Sequence, residues 1–179
     1  MKLQRCKTRF NNRRAAMLVL IAFCLPLCII MAAFAINVAW MQLVRTELRT
    51  STDAAARAGA KELSLAQSTV VARSVAKDTA KRNLVAGAPL LLADSDIVFG
   101  KGTQANDTSR FKFTAGGTPP NAVQIFGRRS KGSLSGPVNM MFANVFSVKQ
   151  FQPTETATST QLDRDICLVV DRSGSMMWT

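Results

Sequence analysis

Asp171, Ser173 and Ser175 occupy alternate positions in the run Asp171-Arg172-Ser173-Gly174-Ser175, which gathers one carboxylate and two hydroxyls in a short segment. All three are hard oxygen donors, the ligand set preferred by Mg²⁺ and Mn²⁺. The preceding residues, Asp165-Ile166-Cys167-Leu168-Val169-Val170, form a short apolar run that reads as a fully buried strand. Such a strand would present the Asp-x-Ser-x-Ser group at its C-terminal end. A polar turn is the plainer alternative for the same residues. The chain contains no histidine, which removes His-based triads, His metal sites and imidazole acid–base chemistry. With no nucleophile–base pair to rest on, an enzyme is not expected.

The strand and motif together closely resemble the first strand and metal-ion-dependent adhesion site (MIDAS) of the von Willebrand factor type A family. The resemblance implies that Ser173 and Ser175 are direct ligands, that Asp171 binds through water, and that the complete protein uses Mg²⁺ or Mn²⁺. That family takes a Thr and an Asp from two later loops, and this sequence reaches Thr179 before them. The expectation is therefore a truncated type A domain over residues 163–179. Its incomplete site should bind metal no more tightly than millimolar.

The elements that must position this group begin with an apolar run. Residues 15–44 carry no charged side chain, and a bilayer core needs about 20 such residues in a helix. Lys2, Arg5, Lys7, Arg9, Arg13 and Arg14 precede the run without an acid among them, giving a basic tail over residues 1–14. Beyond the run, Arg45 and Arg49 alternate with Glu47 and Asp53. Excess Lys and Arg mark the cytoplasmic side, so the N-terminus should stay inside and the bulk should be exported. Ala33-Phe34-Ala35 offers a rival reading as a signal-peptide cleavage site. The apolar stretch exceeds a normal signal core, which favours an uncleaved anchor. Pro26 is tolerated in a span as a kink.

The net charge of +12 does not signal nucleic-acid binding. The juxtamembrane cluster accounts for part of it through attraction to anionic lipid, and no nucleic-acid module accompanies the rest. The expected partner of the basic tail is membrane lipid. Cys24 and Cys28 lie within the span, Cys6 in the tail and Cys167 in the expected strand, so no disulfide framework is implied.

Residues 45–87 read as an amphipathic, Ala-rich helix. Leu48, Ala55, Gly59, Leu63, Ala66, Val70 and Val71 form one apolar stripe. Asp53 with Arg57 and Asp78 with Arg82 are i,i+4 pairs. Thr50-Ser51-Thr52-Asp53 has the form of a capping box at which the helix could restart, and Gly87 with Pro89 is a stop. The small residues from Asp53 to Ala60 suit docking against another helix or against the following sheet.

Residues 88–162 read as a β-rich unit. Strands are expected at Asp96-Ile97-Val98-Phe99-Gly100, Arg110-Phe111-Lys112-Phe113-Thr114, Ala122-Val123-Gln124-Ile125-Phe126 and across residues 154–160. Arg128-Arg129-Ser130-Lys131-Gly132 reads as a solvated hairpin tip. The apolar stretch 140–148 fits a helical turn, a strand, or one after the other. The fold class is α+β: one transmembrane helix running into an amphipathic helix, a small antiparallel β unit, and the first strand of an incomplete α/β type A domain.

A second resemblance rests on Arg13-Arg14-Ala15-Ala16, Asn37-Val38-Ala39-Trp40 and Leu48-Arg49-Thr50-Ser51-Thr52-Asp53-Ala54-Ala55-Ala56-Arg57-Ala58-Gly59-Ala60. Together they resemble the N-terminal region of TadG-like Flp pilus-assembly proteins over roughly residues 13–60. Ala15 stands where that family often has Gly, Asn37 where it usually has Asp, and no acid lies within the span, so prepilin-type cleavage is not expected. The resemblance implies a single-pass protein of the bacterial inner membrane with a structural or assembly role in a Flp (Tad) pilus or related surface apparatus. Its partners would be other envelope or pilus-assembly proteins, bound through the type A domain in the complete protein. The alternative is a membrane-tethered, metal-dependent adhesion module unrelated to pili.

Overall fold

The computed structural model describes residues 12–106, 108–161 and 167. Helix α1 (Asn12–Ala66) runs for 55 residues, about 80 Å at the α-helical rise. It holds one proline, Pro26, and its only glycine is Gly59, so little in the sequence interrupts it. The expected restart at Thr50–Asp53 does not occur. The Thr52 hydroxyl instead donates back to the Leu48 carbonyl at 2.6 Å, which satisfies it inside a continuous helix.

The chain turns at Gln67, whose φ of 48° is left-handed and whose amide still donates to the Leu63 carbonyl at 3.0 Å. Helix α2 (Thr69–Arg82) then packs back on α1 as an αα-hairpin. This turn corrects the expected stripe. Leu48, Ala55, Gly59 and Leu63 are buried, but Ala66, Val70 and Val71 are exposed. After the reversal, α2 buries Ala72, Ala76 and Ala80 instead. Of the two expected ion pairs, Asp53 and Arg57 meet at 2.8 Å, while Asp78 and Arg82 form none among the described residues.

Helix α2 ends before Gly87. Strands β1 (Leu84–Val85) and β2 (Ala88–Pro89) form a tight hairpin around Ala86 at φ 54° and Gly87 at φ 75°. Two central residues with positive φ suit the right-handed twist of a short hairpin. A 3₁₀ turn, Asp94–Asp96, then leads into β3 (Ile97–Thr103).

With β4 (Lys112–Ala115), β5 (Ala122–Arg128) and β8 (Thr154–Thr160), strand β3 builds an antiparallel sheet in the order β4-β3-β5-β8. In register, Ile125 faces Ala157 on β8 and Ile97 on β3. Val123, Ile125 and Gly127 alternate along β5 as buried residues, as a half-covered sheet requires. Their cover is α1. The core joins Val44, Leu48, Ala55, Ala56, Ala60 and Leu63 of α1 to Val123 and Ile125 of β5.

Between β5 and β8 the chain makes an excursion: β6 (Val138–Asn139), α3 (Ala143–Phe146) and β7 (Gln150–Phe151), with β6 and β7 paired. The apolar stretch read as helix, strand or both is thus one helical turn framed by two short strands. The α+β class and the long apolar N-terminal helix agree with the sequence reading.

Asp171, Ser173 and Ser175 lie outside the described residues, as does most of the expected type A strand. Its one described member, Cys167, is exposed and in no strand. This corrects its expected burial, because no described strand pairs with it to cover it.

Candidate functional site

The feature with functional content is the junction where the apolar half of α1 meets the α+β unit. One helix changes surroundings along its length. From Met17 to Ile36 its large apolar side chains stand exposed, among them Phe23 at 77% and Met31 at 64%. From Val44 to Leu63 its inward face is fully buried. The stretch beginning at Met17 is long and apolar enough to cross a membrane. Ala33 within this half and Asn37 just beyond it are buried, and Asn37 marks where the excursion docks.

At this docking point Asn37 Oδ1 accepts the Phe142 amide at 3.1 Å. Trp40 Nε1 donates to the Asn139 carbonyl at 3.3 Å, and Phe34 meets Phe146 edge-on with ring centroids 5.9 Å apart. One turn further, the Arg45 guanidinium lies 5.3 Å from the centre of the Phe151 ring, a cation–π geometry. Glu47 reaches the β1–β2 hairpin, where its Oε2 accepts the Ala86 amide at 2.7 Å. A carboxylate on the helix therefore holds the positive-φ turn in place.

Arg129 was expected at a solvated tip, and the structure places it inside, 5% exposed. Its guanidinium donates to the carbonyls of Val85 and Gly136, each at 3.1 Å, which ties β1 to the β5–β6 connection. Burial pulls its pKa below the ordinary arginine value, yet an arginine stays charged in a protein. The neighbouring Arg128 pairs with the buried Asp96, whose other oxygen accepts the Ala93 amide at 3.0 Å. The expected basic tip is thus a structural clasp. The residue order gave little warning, because two adjacent arginines beside Ser and Gly look the same in a loop.

The small-residue stretch docks on both partners considered for it. A side chain at Gly59 would meet Ala76 Cβ at 3.2 Å on one side and Val123 Cγ1 at 3.6 Å on the other. Helix α1 is therefore wedged between α2 and β5. Among the described residues no three His, Cys, Asp or Glu side chains come together as a metal-binding group.

Among the described residues one helix is long and apolar enough to cross a membrane, and it runs without a break into an α+β unit. Residues 58–160 match the family model described as putative Tad-like Flp pilus-assembly. Residues 15–62 match the one described as putative Flp pilus-assembly TadE/G-like. The first match covers more than half of the chain, and the chain belongs to the Tad-like Flp pilus-assembly family. A search of curated proteins and a search of solved structures each returned no match. The TadG-like resemblance read from residues 13–60 is borne out, while neither match extends to Asp171.

Proposed function

We propose that this chain is a single-pass component of the bacterial inner membrane that serves the assembly of a Flp (Tad) pilus or related surface apparatus. The observation that carries the reading is the continuity of α1, apolar and exposed on one half and buried under the sheet on the other. A rigid connection of that kind holds the α+β unit at a fixed distance from the membrane, which suits a scaffolding role better than a tethered, freely moving one. The basic cluster before the span argues for a cytoplasmic N-terminus and an exported α+β unit. The role is structural, not enzymatic, and its partners are membrane lipid and other pilus-assembly proteins. Removing the gene from its bacterium should abolish surface Flp pili, and the full chain supplied in trans should restore them. Normal piliation without the gene contradicts the reading.

For the C-terminal stretch, the proposal is that Asp171, Ser173 and Ser175 open a type A metal site that binds Mg²⁺ or Mn²⁺ in the complete protein and docks an acidic partner residue. The support is the oxygen-only donor set. Calorimetry on a complete protein containing the later loops should show divalent-ion binding that Asp171→Ala removes. Binding unchanged by that substitution contradicts the assignment.

A further inference from the structure

We propose that the excursion between β5 and β8, centred on α3, is a second membrane contact that rests in the outer interfacial layer of the bilayer beside the span. The inference builds on the membrane-anchor reading and adds a lipid-facing surface to a unit otherwise held clear of the bilayer.

The argument starts from depth along α1. Phe34 lies nineteen residues beyond Ala15, the first residue after the basic tail, which is about 28 Å at 1.5 Å per residue. A hydrocarbon core is about 30 Å thick, so Phe34 sits at its outer edge. Asn37 and Trp40 follow within the headgroup layer, where tryptophan is favoured. Phe146 packs on Phe34, Phe142 is held by Asn37, and Asn139 is held by Trp40. The excursion is therefore pinned at the depth of the membrane interface by three separate contacts.

Its exposed side chains include three large apolar ones, set among the polar Asn144 and Ser147. Met141 is 60% exposed, Val145 49% and Val148 55%. An apolar group of this kind on a water-facing surface has no counterpart to cover it, whereas at the interface acyl chains cover it. The patch adjoins α1 at Phe34, on which Phe146 packs, and Val148 shares a groove with Phe34, Val38 and Met41, a stretch that the anchor reading already places at the edge of the lipid. Lys149 follows Val148 and is exposed, as is Arg45 on the helix beside it. Basic residues at the edge of an apolar surface suit anionic headgroups. A soluble partner would have to enter the headgroup layer to reach this patch, so the occupant is lipid.

The test uses the full chain with Cys6, Cys24, Cys28 and Cys167 replaced by Ala. It is reconstituted in phosphatidylethanolamine–phosphatidylglycerol vesicles with an environment-sensitive fluorophore on a single introduced cysteine. Circular dichroism confirms that each variant is folded. Emission at Val145→Cys should shift to the blue and be mostly lost when the lipids carry a spin label near the headgroup. Lys101→Cys, which lies beside Leu63 far along α1, should show neither effect. Ile29→Cys reports the span itself. Quenching at Ile29→Cys with none at Val145→Cys overturns the proposal and leaves the anchor standing, whereas no quenching at Ile29→Cys overturns the anchor. A blue shift at Val145→Cys without quenching means that protein, such as a second copy, covers the patch, and this too overturns the proposal.

Discussion

Asp94 shows how much a single exposed side chain adds when two cations converge on it. Lys77 Nζ lies 2.9 Å from its carboxylate and Arg73 Nη1 3.4 Å, and both come from α2, so the contact fastens that helix to the start of the sheet. The Lys77 hydrogen bond first, then the Lys77 charge, hold the Asp94 carboxyl below its ordinary value of 3.8. A carboxyl with a lowered folded-state pKa stabilises the fold above its unfolded pKa, and this contribution disappears as pH falls through the folded value. Because Asp94 is exposed, the effect should be modest and sensitive to salt. Asp94→Asn should lower the melting temperature slightly at neutral pH. Below the folded pKa the two proteins should melt together. A gap that stays constant from neutral to strongly acidic pH contradicts this account.

Single residues were also where the sequence was hardest to read. The pairing of Asp53 with Arg57 was legible from helical spacing, although the same spacing gives Asp78 and Arg82 no ion pair among the described residues. Arg129, Glu47 and Asn37 were not. Each meets a partner far away in the chain, at Val85 and Gly136, at Ala86, and at Phe142, and local pattern holds no record of such contacts. Asn37 was noted only where the resembled family usually has Asp, and nothing local tied it to Phe142.

At the scale of elements, the tightest constraint is the crossing of β5 over α1. A Cβ built on Gly127 would overlap Thr52 Oγ1 and lie 3.3 Å from Leu48 Cδ1. Thr52 cannot easily yield, since its hydroxyl is engaged with the Leu48 carbonyl. Gly127→Ala should therefore destabilise the fold by about 1–3 kcal/mol, the usual range for overpacking. Adding Thr52→Ala removes the closest atom, so the double variant should lose less than the sum of the two single changes. Denaturant unfolding of all four proteins measures this coupling. Strict additivity would show that the strand and helix do not meet as described.

Strand periodicity carried well, and the reading of β8 over residues 154–160 coincides with the observed strand. The αα-hairpin did not carry. Gln67 adopts a left-handed φ without being glycine, and the alanines on both sides suit one long helix as well as two. The stripe was consequently drawn straight through the turn. The expected capping box failed for a related reason, because Thr in a helix can bond backward as readily as it caps.

For the whole molecule, the long helix α1 is what joins the apolar end to the α+β unit. In the topology proposed above, the basic tail stays in the cytoplasm, the apolar half of α1 crosses the membrane, and the α+β unit lies on the far side. The long apolar helix was legible because hydropathy acts over tens of residues. The way the excursion folds back onto α1 was not, since it depends on tertiary contacts made by Phe34, Asn37 and Trp40. The C-terminal group at Asp171, Ser173 and Ser175 is a reading of donor chemistry that stands apart from this topology.

The chain's own cysteines provide the most direct test of that topology. Cys6 belongs to the basic tail and Cys24 and Cys28 to the span, while Cys167 is exposed beyond the sheet. A membrane-impermeant maleimide applied to intact spheroplasts, followed by intact-mass analysis, should add a single label to the full-length chain. Cys167→Ser should abolish that label, and a second should reach Cys6 only after the membrane is permeabilised. Labelling of Cys6 from outside, protection of Cys167 until permeabilisation, or a mature chain beginning near Ile36 would contradict the account.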